Sequence, residues 1–263
     1  MADRRRKVLK ALDIETWVRR DAAPRVTTEA APVASVSEPA PDEAAAPRRR
    51  GRPPLIREAA DAPAKMVTVT RSDYVAPADW ESLRAAVKAC TRCKLCPTRT
   101  QTVFGVGVEN ASLMVVGEGP GADEDAQGEP FVGRAGKLLD EMLRSIGRSR
   151  KDNVFIANVV KCRPPGNRDP EPDEAEACRP FLERQIELVK PKLIVALGRI
   201  AAQRLLQTDE PLSKLRGPMH QYGPQQTPLF ITYHPAYLLR SPREKAKSWE
   251  DLKKIHQFVQ GHA

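Results

Sequence analysis

Apolar positions along this chain follow two alternating rhythms. Four short runs are almost wholly apolar: Leu113-Met-Val-Val116, Val154-Phe-Ile-Ala157, Leu193-Ile-Val-Ala-Leu197 and Leu229-Phe-Ile-Thr232. Runs of that length and composition predict central strands covered on both faces. Between them the spacing becomes helical. Leu138, Leu139, Met142, Leu143 and Ile146 form one stripe over 135–146, and Phe181, Leu182, Ile186 and Val189 form another over 172–189, which opens on Pro-Asp-Glu. Further helices are expected over 200–206 and 249–259. Strand alternating with helix predicts an α/β fold: three α/β/α layers around a central, mainly parallel four-stranded sheet. The polar motifs sit just after the strands. Gly117-Glu-Gly-Pro-Gly-Ala-Asp-Glu-Asp125, Asn158-Val-Val-Lys-Cys162 and His234-Pro-Ala-Tyr-Leu-Leu-Arg240 follow the first, second and fourth runs. Open parallel sheets bind ligands at the carboxyl edge, so three distant motifs are expected to share one crevice.

Composition narrows the folded part. Residues 21–64 hold 8 Pro and 13 Ala among 44 positions and almost no large apolar side chain. Such a segment cannot bury enough surface to offset its ordering entropy, so 21–74 is expected to be a disordered linker and 75–260 the folded domain. The net charge is +9, and residues 1–65 contribute 14 Lys/Arg against 10 Asp/Glu. A basic balance on both parts points to a polyanionic partner, nucleic acid first. No leader-like start and no membrane-length apolar run is present, so the protein is expected in the cytoplasm, with reduced thiols and no membrane partner. Four of its five cysteines fall as Cys90-x2-Cys93 and Cys162-x15-Cys178, flanking a proline-rich loop. Four thiolates so spaced can share one centre if the chain folds back, and spacing alone allows zinc or an iron–sulfur cluster.

Taken together, Gly-Glu-Gly-Pro-Gly, Pro130-Phe-Val-Gly-Arg-Ala-Gly136, Asn-Val-Val-Lys-Cys-Arg-Pro-Pro and His-Pro-Ala-Tyr-Leu-Leu-Arg resemble the family 4 uracil-DNA glycosylases, the iron–sulfur branch of that superfamily. The resemblance runs from about Trp80 to Phe258. It implies hydrolysis of the N-glycosidic bond of uracil in DNA, single- or double-stranded, in bacterial base excision repair at the nucleoid, by a monomer. It also implies that Cys90, Cys93, Cys162 and Cys178 ligate a [4Fe-4S] cluster, with Cys96 outside the set. One superfamily member bonds to DNA through a histidine between its third and fourth cysteines; residues 163–177 contain none, which excludes that variant.

Within this reading each chemical task falls to a residue. The base must leave the duplex and enter a pocket. Asn158 carries a donor and an acceptor that match the polar edge of uracil, while cytosine presents the reversed pattern at position 4. Phe131 is expected to stack on the flipped ring, and Gly119 to border it. His234 is expected to donate to uracil O2 as the anion develops. Leu238 is the expected wedge, with Arg240 on a flanking phosphate, and Arg163 and Asn167 on DNA from the cysteine-flanked loop. Gly119 stands where family 1 enzymes carry a water-positioning aspartate; the family pattern implies Glu124 as the side chain that crowds uracil C5 or aids water and Glu118 as a second functional group, both counted as catalytic, while Asp123 and Asp125 read as helix N-terminal charges.

Two features lie outside that pattern. Residues 4–20, Arg-Arg-Arg-Lys-Val-Leu-Lys-Ala-Leu-Asp-Ile-Glu-Thr-Trp-Val-Arg-Arg, resemble the amino-terminal peptide of the bacterial clamp-loader psi subunit and imply a short partner-binding peptide. Pro47-Arg-Arg-Arg-Gly-Arg-Pro-Pro54 resembles an AT-hook. Two other classes compete with the enzyme. A non-catalytic iron–sulfur nucleic-acid-binding protein would need a broken pocket. A nucleotide-binding oxidoreductase would need a Gly-x-Gly-x-x-Gly turn without the acidic cluster beside it.

Overall fold

The structure is a computed structural model that describes residues 74–261. The expected peptide over 4–20, the AT-hook-like tract over 47–54 and all of the expected linker but Tyr74 lie outside the described residues. Tyr74 packs edge-on against Phe181 and lies under Arg92, so the folded body includes it.

The four apolar runs are the four central strands. β2 (Leu113–Gly117), β3 (Val154–Asn158) and β4 (Leu193–Leu197) are buried along their whole lengths, and β6 (Thr227–Thr232) is buried over its second half. They pair in parallel, with Val115 opposite both Ile156 and Val195, and Val195 opposite Phe230. The sheet carries two further strands, giving the order β1-β3-β2-β4-β6-β5. β1 (Val106–Gly107) and β5 (Met219–Tyr222) pair antiparallel at the two edges. Neither has an apolar run: β1 is two residues long, and β5 alternates exposed and half-buried positions. An edge strand with one wetted face does not carry the signature of a doubly covered one.

Helices cover both faces. α1 (Trp80–Lys88), α4 (Pro172–Val189) and α5 (Gly198–Leu206) send Leu83, Val87, Phe181, Ile186 and Ala202 onto Met114, Val116 and Phe155. On the other face α3 (Arg134–Arg144), α7 (Pro235–Arg240) and α8 (Lys245–Gly261) send Leu139, Leu143, Leu238, Leu252 and Ile255 onto Leu113, Val115 and Val195. Burial of such a side chain contributes roughly 1.5–3 kcal/mol, and a one-residue slip would put each strand's residues on the wrong face, so packing sets the register. Two short helices, α2 (Ala122–Gln127) and α6 (Leu212–Leu215), complete the chain path. α2 places Asp123 and Asp125 in a first helical turn, as their reading as helix N-terminal charges requires; its sequence Ala-Asp-Glu-Asp-Ala-Gln has no apolar stripe, and it is bounded by Gly121 and by Gly128 in the left-handed region.

Candidate active site and cysteine centre

The carboxyl ends of β2, β3 and β6 bring the motifs to one place. Gly117 closes β2 opposite Asn158. A Cβ on Gly117 would lie 2.4 Å from Asn158 Oδ1 and 2.6 Å from Phe131 Cζ, so only glycine lets both side chains reach this point. The Phe131 ring lies 5.6 Å from the His234 ring, tilted by 32°. Asn158, Phe131 and His234 therefore converge. Asn158 is buried, and its Oδ1 has no hydrogen-bond partner. A buried orphan acceptor costs roughly 1–3 kcal/mol, which a ligand N–H would recover.

Phe131 is held there against its own backbone preference. Its φ is 56°, in the left-handed region that costs a non-glycine residue about 1–3 kcal/mol. Arg150 fixes it by donating to the carbonyls of Pro130 (2.9 Å) and Phe131 (2.8 Å) while pairing with Asp140 and Glu129. Glu124 holds the same loop from the other side. Its Oε1 accepts from the N–H groups of Val132 (2.9 Å) and Gly133 (3.1 Å), and its Oε2 from that of Gly121 (3.0 Å). Three backbone donors engage the carboxylate, so Glu124 staples the first motif to the Phe131 loop. Asp125 likewise is more than a helix charge, because its buried carboxylate accepts from Thr100 N–H at 3.0 Å.

His234 follows β6, whose end is anchored by Thr232 donating to Asp251 (2.6 Å), itself paired with Arg216. The Ala236 N–H donates to His234 Nδ1 at 3.1 Å. In the neutral ring that bond leaves the proton on Nε2. Packing around the imidazole, with Arg240 nearby, lowers its pKa to about 4, so the neutral donor persists at physiological pH. Gly198 packs behind it with φ 84°, where a Cβ would meet the His234 Cβ at 2.9 Å.

Glu118 points to the cysteine-flanked loop. Its carboxyl hydrogen-bonds with Asp169, which pairs with Arg199 of α5 at 2.6 Å. Burial and the Asp169 charge raise Glu118 to about 7. Gly119 explains the missing aspartate, since a Cβ there would come within 2.8 Å of Val160 Cγ2. Arg163 donates to Asn167 Oδ1 at 2.7 Å on the exposed part of the loop, and Arg240 is exposed on α7. Leu238 departs from expectation. It is 1% exposed, packed in the core with Leu139 and Met142, and cannot enter DNA without unpacking that core. α7 turns it inward and leaves Tyr237 outward.

Cys90, Cys93, Cys162 and Cys178 line one small cavity with Val87, Arg92 and Phe181, while Cys96 does not. The donor set fits a thiolate-bound centre. Arg99 donates to Cys162 Sγ at 3.0 Å and the Lys161 N–H to Cys178 Sγ at 3.3 Å. Burial first, then the neighbouring Cys162 and Cys93, push the Cys178 thiol up to about 12 against the pull of Lys161, so a thiolate there requires further positive charge. The four thiols ring the cavity without meeting at a point: among the described residues no three His, Cys, Asp or Glu side chains are grouped to hold a single ion. Pattern reasoning passed over Lys161, which is fully buried. Its Nζ donates to the Asn158 carbonyl (2.8 Å) and Gln185 Oε1 (2.6 Å), linking the cysteine centre to the end of β3. Arg168 clamps the loop by a two-point pair with Glu174 (2.8 and 2.6 Å), one turn before Cys178. A cleft of about 1020 Å³ opens elsewhere, between α4, α5 and the β5–β6 hairpin, and contains none of these groups.

The fold and this site define a class. A family model described as the uracil DNA glycosylase superfamily matches residues 104–253, and the chain belongs to that superfamily. Within it the similarity is to the type-4 enzymes. The chain is 45% identical to the type-4 uracil-DNA glycosylase of Sulfurisphaera tokodaii over 185 residues, covering 68% of this chain and 84% of the relative. It is 46% identical to that of Archaeoglobus fulgidus over 179 residues (65% and 89%) and 44% identical to that of Thermotoga maritima over 183 (68% and 94%).

Proposed function

We propose that the protein excises uracil from DNA by hydrolysing the glycosidic bond of an everted nucleotide, leaving free uracil and an abasic site, and that Asn158, Phe131 and His234 carry the recognition and the chemistry. The observation that carries this assignment is the buried, unpartnered Asn158 Oδ1 beside the Phe131 ring. Uracil N3–H supplies the donor that oxygen lacks, and the amide N–H2 donates to O4. Cytosine has no hydrogen on N3 and offers an amino group at position 4, so both contacts fail. Phe131 stacks on the ring. As the bond to the sugar breaks, negative charge develops on the base, and His234 Nε2–H is positioned to donate to O2.

Glu118 is the acid we assign to water, since Glu124 is occupied. It must be ionised to accept a proton, and its protonated fraction falls as pH rises through about 7. Single-turnover excision is expected to rise through the same pH, and Asp169→Asn to move that rise to lower pH by removing the neighbouring charge. An identical profile in both proteins removes Glu118 from the mechanism.

Cys90, Cys93, Cys162 and Cys178 would hold the [4Fe-4S] cluster. Four thiols spread around one cavity suit a cluster whose four irons would each take one thiolate better than a single zinc, which would draw all four sulfurs to about 2.3 Å from one atom. When bound, the cluster supplies a crosslink between the segment after α1 and the loop over 163–177, where Arg163 and Asn167 meet DNA. Residues 4–20 serve as a partner peptide for the clamp loader, and 47–54 adds minor-groove contacts through a linker spanning 21–73. No helix among the described residues is long and apolar enough to cross a membrane, and the assigned setting is the nucleoid of a bacterial cytoplasm, as a monomer.

One experiment tests these assignments together. Anaerobically purified protein is expected to be brown and to release free uracil from a uracil-containing oligonucleotide. Deleting residues 1–65 should leave excision intact while weakening DNA binding and flattening its salt dependence. Absence of free uracil overturns the activity, colourless active protein overturns the cluster, and an unchanged salt slope overturns the arm's role. A pull-down with residues 1–20 that returns no clamp-loader subunit removes that partner.

A further inference from the structure

An enzyme that everts a base from a duplex must fill the gap it creates, or the base falls back. The filler has to be large, largely apolar, exposed before DNA arrives, and held rigidly near the catalytic histidine. Leu238 fails the exposure requirement. The large exposed apolar side chains among the described residues are Val75, Met219, Tyr237 and Trp249. Of these, Tyr237 alone belongs to the helix that His234 caps; its N–H donates to the His234 carbonyl at 2.9 Å.

Tyr237 is also supported from beneath. Its ring stacks on Tyr233, with centroids 5.2 Å apart and 29° between planes. Arg216 lies over the Tyr233 ring at 4.7 Å and is fixed by Asp251 at 2.7 and 3.0 Å and by the Lys247 carbonyl at 2.7 Å. Tyr233 thus contacts both Tyr237 and a guanidinium anchored on α8. A half-buried ring backed in this way loses little conformational entropy on binding.

We propose that Tyr237 is the residue that enters the base stack in place of the everted nucleotide, with the Arg216–Tyr233 pair as its base plate. The proposal rests on the uracil-excision reading and assigns its duplex-opening element. Stacking of an aromatic side chain on a nucleobase contributes about 1–3 kcal/mol. Its loss falls on duplex substrates, because a single-stranded uracil needs no gap filled.

The test uses the full-length chain and compares uracil opposite guanine with uracil in a single strand. Tyr237→Ala is expected to slow duplex excision by about tenfold or more and single-strand excision by no more than about twofold. Tyr237→Phe should restore the duplex rate, since the ring and not the hydroxyl does the filling. With 2-aminopurine placed beside the uracil, wild-type protein should change its fluorescence on binding and Tyr237→Ala should not. Equal slowing on both substrates, or no slowing on either, overturns the proposal while single-strand excision by wild-type protein leaves the glycosylase reading standing. A duplex-selective loss in Leu239→Ala, with Tyr237→Ala unaffected, gives the role to the half-buried neighbour instead.

Discussion

Asn158→Ala is expected to lower single-turnover excision of uracil by roughly 10²–10³-fold, with DNA affinity changed little. The reasoning is local. Asn158 Oδ1 lies buried and unpaired at the end of β3, so it contributes nothing to the free protein except a desolvation cost. That cost is recovered only when a donor enters. Alanine removes both the acceptor for N3–H and the donor for O4, and leaves those uracil atoms unpaired in a site that excludes water. Two lost contacts at about 1–3 kcal/mol each bracket that loss. The same substitution should make the enzyme more stable or leave it unchanged, because an orphan polar group is deleted. Thermal melting of the variant beside its excision rate checks both halves, and an excision rate within threefold of wild type would sink the assignment.

His234→Ala is expected to cost a similar 10²–10³-fold, through the transition state and not through substrate binding. The Ala236 N–H on Nδ1 selects the Nε2–H tautomer, and a pKa of about 4 keeps the ring neutral. A neutral donor strengthens its bond as the uracil anion forms, whereas an imidazolium would lose the Ala236 contact. The rate should therefore show no histidine limb near pH 6.5. Stability follows with a definite sign. The unfolded ring binds a proton below about 6.5 and the folded ring only below about 4, so folding stability falls as pH drops through that window and is fully present above it. His234→Ala removes this dependence. Single-turnover rates and melting curves from pH 4 to 8 for both proteins measure the two effects; a histidine-like limb near 6.5 that vanishes in the variant would contradict the neutral-donor mechanism.

The central strands and the long helix Pro172–Val189 were legible because doubly covered strands and amphipathic helices leave periodic marks. The edge strands β1 and β5 and the short helix α2 left none, being brief, polar or capped by glycine. Site residues divide in the same way. Asn158 and His234 stood out because one closes and the other closely follows a strand run, and Phe131 because it is the aromatic side chain in the loop beside the first motif. Lys161 and Arg150 read as ordinary surface cations, and nothing local says that one is buried on the Asn158 carbonyl and the other pins a strained phenylalanine. Glu124 and Leu238 had the right chemistry at plausible offsets, and their neighbours decided against them.

What the residues determined unaided was the alternation of central strands and helices and the spacing of the four thiols, since burial periodicity and short spacings are written along the chain. What only the tertiary structure decided was direction. α7 faces Leu238 into the α3 packing and Tyr237 outward, and the Gly121 turn and the Phe131 loop take both oxygens of Glu124. Direction depends on which elements pack together across long sequence separations, and a six-residue helix can present either of two adjacent side chains until a neighbouring surface buries one of them.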